Sequence, residues 1–146
     1  MAGTMTPQQI AELVLQKMRA IDKATELLGM AIESIGPGRS QLSMPITAAM
    51  VNGLGTCHGG YVFMLADSAL GFACNSLGNR AAAQHCAISY LTPCRLDDRL
   101  VATAALRIKR GRTGIYDISI ARRTPAGDEI VAEFRGQARD VDGSWL

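Results

Sequence analysis

The sequence predicts an α+β domain in which a curved antiparallel sheet wraps a long central helix. Three observations carry this reading. Residues 59–77 are apolar nearly all round, and a helix without a polar face belongs in a core. Downstream, four extended segments alternate apolar and polar side chains between short turns, as an antiparallel meander with one wet face does. Upstream lie an amphipathic helix and a hairpin, and a chain of this size buries an apolar helix by wrapping a sheet around it. The 146 residues suit one domain, with a helical segment in 1–29, a core over 30–141 and a tail over 142–146.

Residues 6–28 place Ile10, Leu13, Val14, Met18, Ile21 and Leu28 at helical spacing. Thr6 can cap that helix, Pro7 suits its first position, Gln9 can close a capping box and Gly29 ends it. The segments 30–35 and 40–47, joined by the turn residues GPGR, read as a hairpin. A Gly-rich loop, NGLGTCHGG, then leads into the apolar helix, which Gly78 closes. Strands follow over 82–91, 100–110, 115–123 and 130–141. In the second of these Leu100, Ala102, Ala104, Leu106 and Ile108 share a face. In the last, Ile130, Ala132, Phe134 and Ala138 face the core, opposite Glu133, Arg135, Gln137 and Arg139. The tail DGSWL is expected to be loose unless it packs on a partner.

Fifteen basic and 13 acidic residues leave a net charge of +2, too weak a field to grip a nucleic-acid backbone. Cys57, Cys74, Cys86 and Cys94 form no CxxC pair, and with only His58 and His85 beside them they read as reduced structural thiols, not metal ligands. No GxGxxG, Walker or HExxH pattern occurs. Glu12, Lys17, Arg19 and Asp22 interrupt the N-terminal apolar pattern, so it reads as neither a signal peptide nor a membrane span, and a cytoplasmic location is expected.

One charge stands out. Asp67 is the only charged residue between His58 and Arg80, in mid-helix, where a carboxylate must be paired, protonated or put to use. Gly59 and Gly60 open the same helix, whose first N–H groups lack helical acceptors and, with no side chain in the way, can bind a developing oxyanion. Two glycines can equally make a tight turn, and Asp67 can equally be a core carboxylate bonded to a basic residue, Ser68 or backbone. Gly60 and Asp67 lie ~10 Å apart along one helix, too far to serve one reacting carbonyl. Two subunits with antiparallel central helices across a two-fold axis would bring Asp67 of one chain to Gly59 of the other. Asn52 can orient a carbonyl or a water, or serve a turn. His58 can hold the loop by bonding to backbone, or be a satisfied histidine. A Cys57–His58 dyad is disfavoured because adjacent side chains in an extended loop diverge. The turn KRGRTG gathers Lys109, Arg110, Gly111, Arg112 and Thr113, which suits a phosphate or merely a solvated hairpin. Asp97 and Asp98 read as structural turn residues, and Phe63, Met64, Phe72 and Tyr90 are candidate pocket walls.

The pattern Asn52-x-x-Gly55-x-x-His58-Gly59-Gly60, followed by Ala66-Asp67-Ser68-Ala69, together with the element order over 28–140, resembles the hotdog-fold acyl-CoA thioesterases, in particular the phenylacetate-degradation (PaaI-type) branch. The resemblance implies a hotdog fold, hydrolysis of an aryl-acetyl-CoA such as phenylacetyl-CoA or its hydroxylated forms, and assembly into dimers and commonly tetramers. It implies no metal and no cofactor beyond the coenzyme A of the substrate, and no nucleic-acid or membrane partner. Asp67 would be nucleophile or base, Gly59 the oxyanion donor from the other subunit, and Asn52 and His58 support. Gly60 and Ser68 would line the substrate site, while Arg110, Gly111, Arg112 and Thr113 would meet the nucleotide phosphates. The family commonly carries Gly-Asp where this chain has Asp97-Asp98. The same fold also hosts acyl-CoA-binding proteins without turnover, and dehydratases of 3-hydroxyacyl thioesters, for which His58 would be the base.

Overall fold

Thr6 opens the first helix with a complete capping box: its hydroxyl accepts from Gln9 N–H at 3.2 Å and Gln9 Oε1 accepts from Thr6 N–H at 2.8 Å. The computed structural model describes residues 3–146, so the first two positions of the domain expected over 1–146 lie outside the described residues. Helix α1 runs Pro7–Arg19 and stops short of the expected residue 28. The cause is Asp22, whose extended backbone and carboxylate, accepting from Thr25 N–H at 3.1 Å, start a second short helix, α2 (Lys23–Leu27). Ile21 therefore leaves the apolar stripe and stands 67% exposed.

The hairpin follows as β1 (Ala31–Gly36) and β2 (Arg39–Pro45), then a 3₁₀ turn at Ala48–Met50, then α3 (Gly59–Asn75). Strands β3 (Asn79–Tyr90), β4 (Arg99–Arg110), β5 (Thr113–Thr124) and β6 (Gly127–Ser144) complete the chain. All six strands form one sheet in the order β1-β2-β4-β5-β6-β3, with every neighbouring pair antiparallel. Helix α3 touches every strand, so the sheet wraps it as the apolar pattern demanded. No helix among the described residues is long and apolar enough to cross a membrane.

Small residues let the helix sit close. Ala66, Ala69 and Ala73 on α3 are buried, as are Ala102, Ala104, Ala132 and Ala138 on the sheet. At Gly136 the approach is tightest: a Cβ there would lie 2.5 Å from Leu70 Cδ2. Gly136 thus fills the one gap in the apolar alternation of β6, where the helix takes the room of a side chain.

Two alternations fail where the register slips. The irregularity between Leu106 and Ile108 leaves Ile108 44% exposed. Another, opposite Ile120 and Ala121, pairs Ala132 and Ile130 with consecutive residues, so Val131 turns into the core and Ile130 turns out. The tail also departs from expectation, since β6 continues through Ser144. Trp145 donates from Nε1 to Asn75 Oδ1 at 2.7 Å, and Arg80 stacks 5.1 Å over its ring. Phe72, a candidate pocket wall, is fully buried in the core.

Asp97 is the only non-glycine with positive φ among the described residues, at +71°, in the turn where the resemblance implies a glycine. Asp98 accepts from Arg95 N–H at 2.8 Å and pairs with Arg122 at 3.2 Å, so both acids are structural. Replacing Asp97 by Gly should relieve the left-handed strain and raise stability by up to about 1 kcal/mol in urea titration. Gly136→Ala should cost about 1–3 kcal/mol by the same measurement, because α3 must lift from the sheet.

Candidate active site

The loop before α3 is shaped by Asn52. Its Oδ1 accepts from Leu54 N–H at 2.9 Å, Thr56 N–H at 3.2 Å and Thr56 Oγ1 at 3.3 Å. Cys57 N–H donates to Cys94 O and His58 N–H to Met50 O, both at 2.7 Å. These bonds deliver His58 to the N-cap of α3, where its Nδ1 accepts from Gly60 N–H at 2.9 Å. That bond requires a lone pair on Nδ1, which puts the neutral ring's proton on Nε2. Of the two glycine amides expected to face a ligand, Gly60 N–H is thereby already bonded. Gly59 N–H finds no acceptor among the described residues.

Gly59 borders a cleft of about 470 Å³, walled by Val62, Tyr90, Thr92, Pro93, Cys94 and Val131. The walls are mostly apolar, and the free amide at the start of α3 adds the positive end of the helix dipole. Arg122 secures one wall from behind, bonding Pro93 O at 3.3 Å while it pairs with Asp98 and Glu129. Cys57 lies against the cleft with its thiol on His58 O, and burial pushes its pKa up to about 11. A thiol so reluctant to ionise is no nucleophile.

Asp67 lies farther along α3, about 12 Å from Gly59 at ~1.5 Å per residue. It has no hydrogen-bond or ion-pair partner among the described residues, so the paired core carboxylate weighed from sequence is not what the fold builds. Burial alone pushes its pKa up. Phe63, Met64, Asp67, Ser68 and Gly71 form a half-buried stripe on α3, whereas Leu65, Ala66, Ala69 and Leu70 are sealed against the sheet. Ser68 sits on that open stripe beside Asp67. Phe63 is held edge-on to Phe134, 5.1 Å between ring centres.

The basic turn is elsewhere. Lys109 is bonded to both Asp140 oxygens at 2.8–2.9 Å, and Arg112 bonds Asp140 O and Asp142 at 3.1 Å. Among the described residues Arg110 meets only the carbonyl of Lys109, at 3.1 Å. Gly111 takes φ +56° to make the turn, and Thr113 pairs with Arg139. Val131 in the cleft wall is about 27 Å back along β6 at ~3.4 Å per residue. One chain therefore brings Asn52, His58, Gly59 and Gly60 together and leaves Asp67 and the basic turn apart from them.

Residues 54–127 match the family model described as the thioesterase superfamily. The chain belongs to that superfamily. Among curated relatives of this thioesterase, the acyl-coenzyme A thioesterase PaaI of Escherichia coli is 41% identical over 84% of this chain and 86% of its own. Human acyl-coenzyme A thioesterase 13 is 25% identical over 90% of this chain and 94% of its own. The structure of the E. coli PaaI protein from the phenylacetic acid degradation operon superposes with a TM-score of 0.91, at 37% identity, over 95% of this chain and 99% of that one. A hypothetical thioesterase protein of Streptococcus pneumoniae solved with coenzyme A gives 0.72, at 25% identity, over 79% and 90%. The hotdog fold and the PaaI-type resemblance carried by the HGG motif stand with these matches.

Tyr90 and Val131 line the cleft of this thioesterase in ways that sequence reasoning missed. Tyr90 was only a candidate wall, yet its hydroxyl donates to Gly59 O at 2.9 Å. Val131 enters the cleft through a bulge, which alternation conceals. Because Asp67 ionises less readily in the fold than in the unfolded chain, native stability falls as pH rises from the ordinary carboxylate range through the raised value. Asp67→Asn removes that loss. It should melt at or above the parent near pH 7, with the difference closing near pH 3, in thermal melts across pH.

Proposed function

We propose that the protein hydrolyses acyl-CoA thioesters, aryl-acetyl-CoA such as phenylacetyl-CoA or its hydroxylated forms being the substrate class, at a site shared by two subunits. One observation carries the reading. The unbonded Gly59 N–H opens onto an apolar cleft, while the unpartnered Asp67 stands two turns away on the open stripe of the same helix. Neither group can complete the other within one chain.

The sheet supplies the means of pairing. Strand β3, 12 residues long, ends the sheet, with β6 on one side and nothing among the described residues on the other. Two β3 edges meeting antiparallel would extend the sheet across a two-fold axis and lay the open stripes of both α3 helices against each other. The partner's Asp67 then approaches Gly59. The end of the sheet that holds the basic turn comes toward the cleft by the same operation, so the partner's Arg110, free of carboxylates, is the first candidate for the coenzyme A phosphates. Further association of dimers into a tetramer belongs to the same proposal.

In the reaction, Gly59 N–H and the α3 dipole bind the thioester carbonyl oxygen and stabilise the charge it gains. The partner's Asp67 takes a proton from water as the water oxygen attacks the carbonyl carbon; alternatively its own oxygen attacks, and water opens the resulting anhydride. The C–S bond breaks, the proton passes to the leaving sulfur, and acid and free thiol depart. Water is the only co-reactant. Desolvation suits the carboxylate to this task, since a raised pKa makes a stronger base.

Asp67→Ala should lower release of free thiol from phenylacetyl-CoA by at least ~100-fold with the fold intact. Mixing subunits provides a sharper check. Chains carrying Asp67→Ala and chains carrying a bulky Gly59 replacement, each inactive alone, should regain about a quarter of parental activity when exchanged, because half the dimers then hold one intact site of two. No recovery despite confirmed exchange would place both groups in one subunit's site and end the shared-site reading.

A further inference from the structure

We propose that Tyr90 is a positioning residue for the oxyanion donor, one jaw of a clamp whose other jaw is His58. The inference rests on reading Gly59 N–H as that donor. The peptide unit joining Gly59 to Gly60 is held at both polar ends: its N–H donates to His58 Nδ1 and its carbonyl accepts from Tyr90 Oη, each at 2.9 Å. A planar unit bonded at both ends has little freedom to rotate. The preceding unit, which carries Gly59 N–H, therefore has its direction set where it enters the cleft. Without the clamp the first turn of a helix is the part most free to fray.

The ring explains why residue 59 is a glycine. Its φ is not in the left-handed region, so the backbone would accept alanine, a better helix former. A Cβ at Gly59 would instead meet Tyr90, 2.9 Å from Cζ and 3.1 Å from Cε1 and Oη. The other possible reason for a glycine, room for the substrate, leads to a different experimental result. Tyr90 is 53% exposed, so its contribution lies outside the core. It is also the last residue of β3. The strand proposed to register the partner's Asp67 thus ends in the side chain that registers Gly59, which ties the two halves of the shared site to one element.

The test compares steady-state kinetics of Tyr90→Phe, Gly59→Ala and the double variant Gly59→Ala/Tyr90→Ala, with folding checked by circular dichroism. Tyr90→Phe keeps the ring and removes only the hydroxyl. It should lower kcat by about tenfold or more with KM changed less than about threefold, the signature of an interaction made in the transition state. Gly59→Ala should be the most impaired, and removing the ring in the double variant should return at least about tenfold of the lost kcat/KM. Parental kcat in Tyr90→Phe, or a folded double variant no better than Gly59→Ala, would overturn the clamp. Those results would leave the shared site standing if mixed subunits still complement. Full activity in a bulky Gly59 replacement would instead remove the donor assignment on which the clamp depends.

Discussion

The close seating of α3 on the sheet is the constraint from which the rest follows. Alanines on both surfaces and the bare backbone at Gly136 bring the helix down until Leu70 occupies the space of a missing side chain. Interiors packed this tightly transmit small displacements instead of absorbing them. The helix consequently has one permitted position, and both of its chemical features inherit it: the amide at its start and the carboxylate in its middle. The same seating leaves one flank of α3 uncovered, since a single sheet closes around only part of a helix. On that flank lies Asp67, a mid-helix carboxylate with no partner among the described residues.

Around this rigid centre the loop network is built for aim. Asn52 spends its carbonyl oxygen on three donors within its own loop, His58 caps the helix, and Arg122 braces the opposite wall. Polar groups that look catalytic in a linear reading thus turn out to hold backbone. The Gly59 amide and the half-buried Asp67 carboxylate are without partners among the described residues, and burial disfavours the charged form of Asp67. Under the proposed function that pair has a chemical purpose, one group stabilising negative charge on a carbonyl oxygen and the other accepting a proton from water.

Element types were legible in the sequence because they depend on local periodicity. The apolar run after Gly59, the GPGR turn and the alternating segments each state their conformation within a short window. Register was not legible. Ile108 and Ile130 fit the alternation and still face outward, because bulges near residues 107 and 131 shift which side chains point in. Asp22 hid its break, since Ile21 satisfies helical spacing while Asp22 caps a new helix. At the site, the HGG motif and Asp67 were visible as a motif and as a lone charge. The contact between Tyr90 and Gly59 spans 31 residues of sequence and left only one sign, a glycine at a helix start whose backbone does not need one.

Strand β3 carries a consequence of its own. Its burial is slight along nearly its whole length, and its side chains include Ala81, Ala82, Ala83, Ala87 and Ile88 against the single cation Arg80. Natural edge strands are usually blunted by lysines, prolines or bulges that stop foreign strands from adding on. This edge carries no lysine or proline, and apart from the irregularities between Asn79 and Ala81 and between Ala83 and His85 it offers a template to any extended chain it meets. If the site is shared as proposed, a lone subunit is hazardous as well as idle, because the edge that would find its twin is also open to other strands. On that reading, selection for turnover and selection against misassembly press on the same twelve residues.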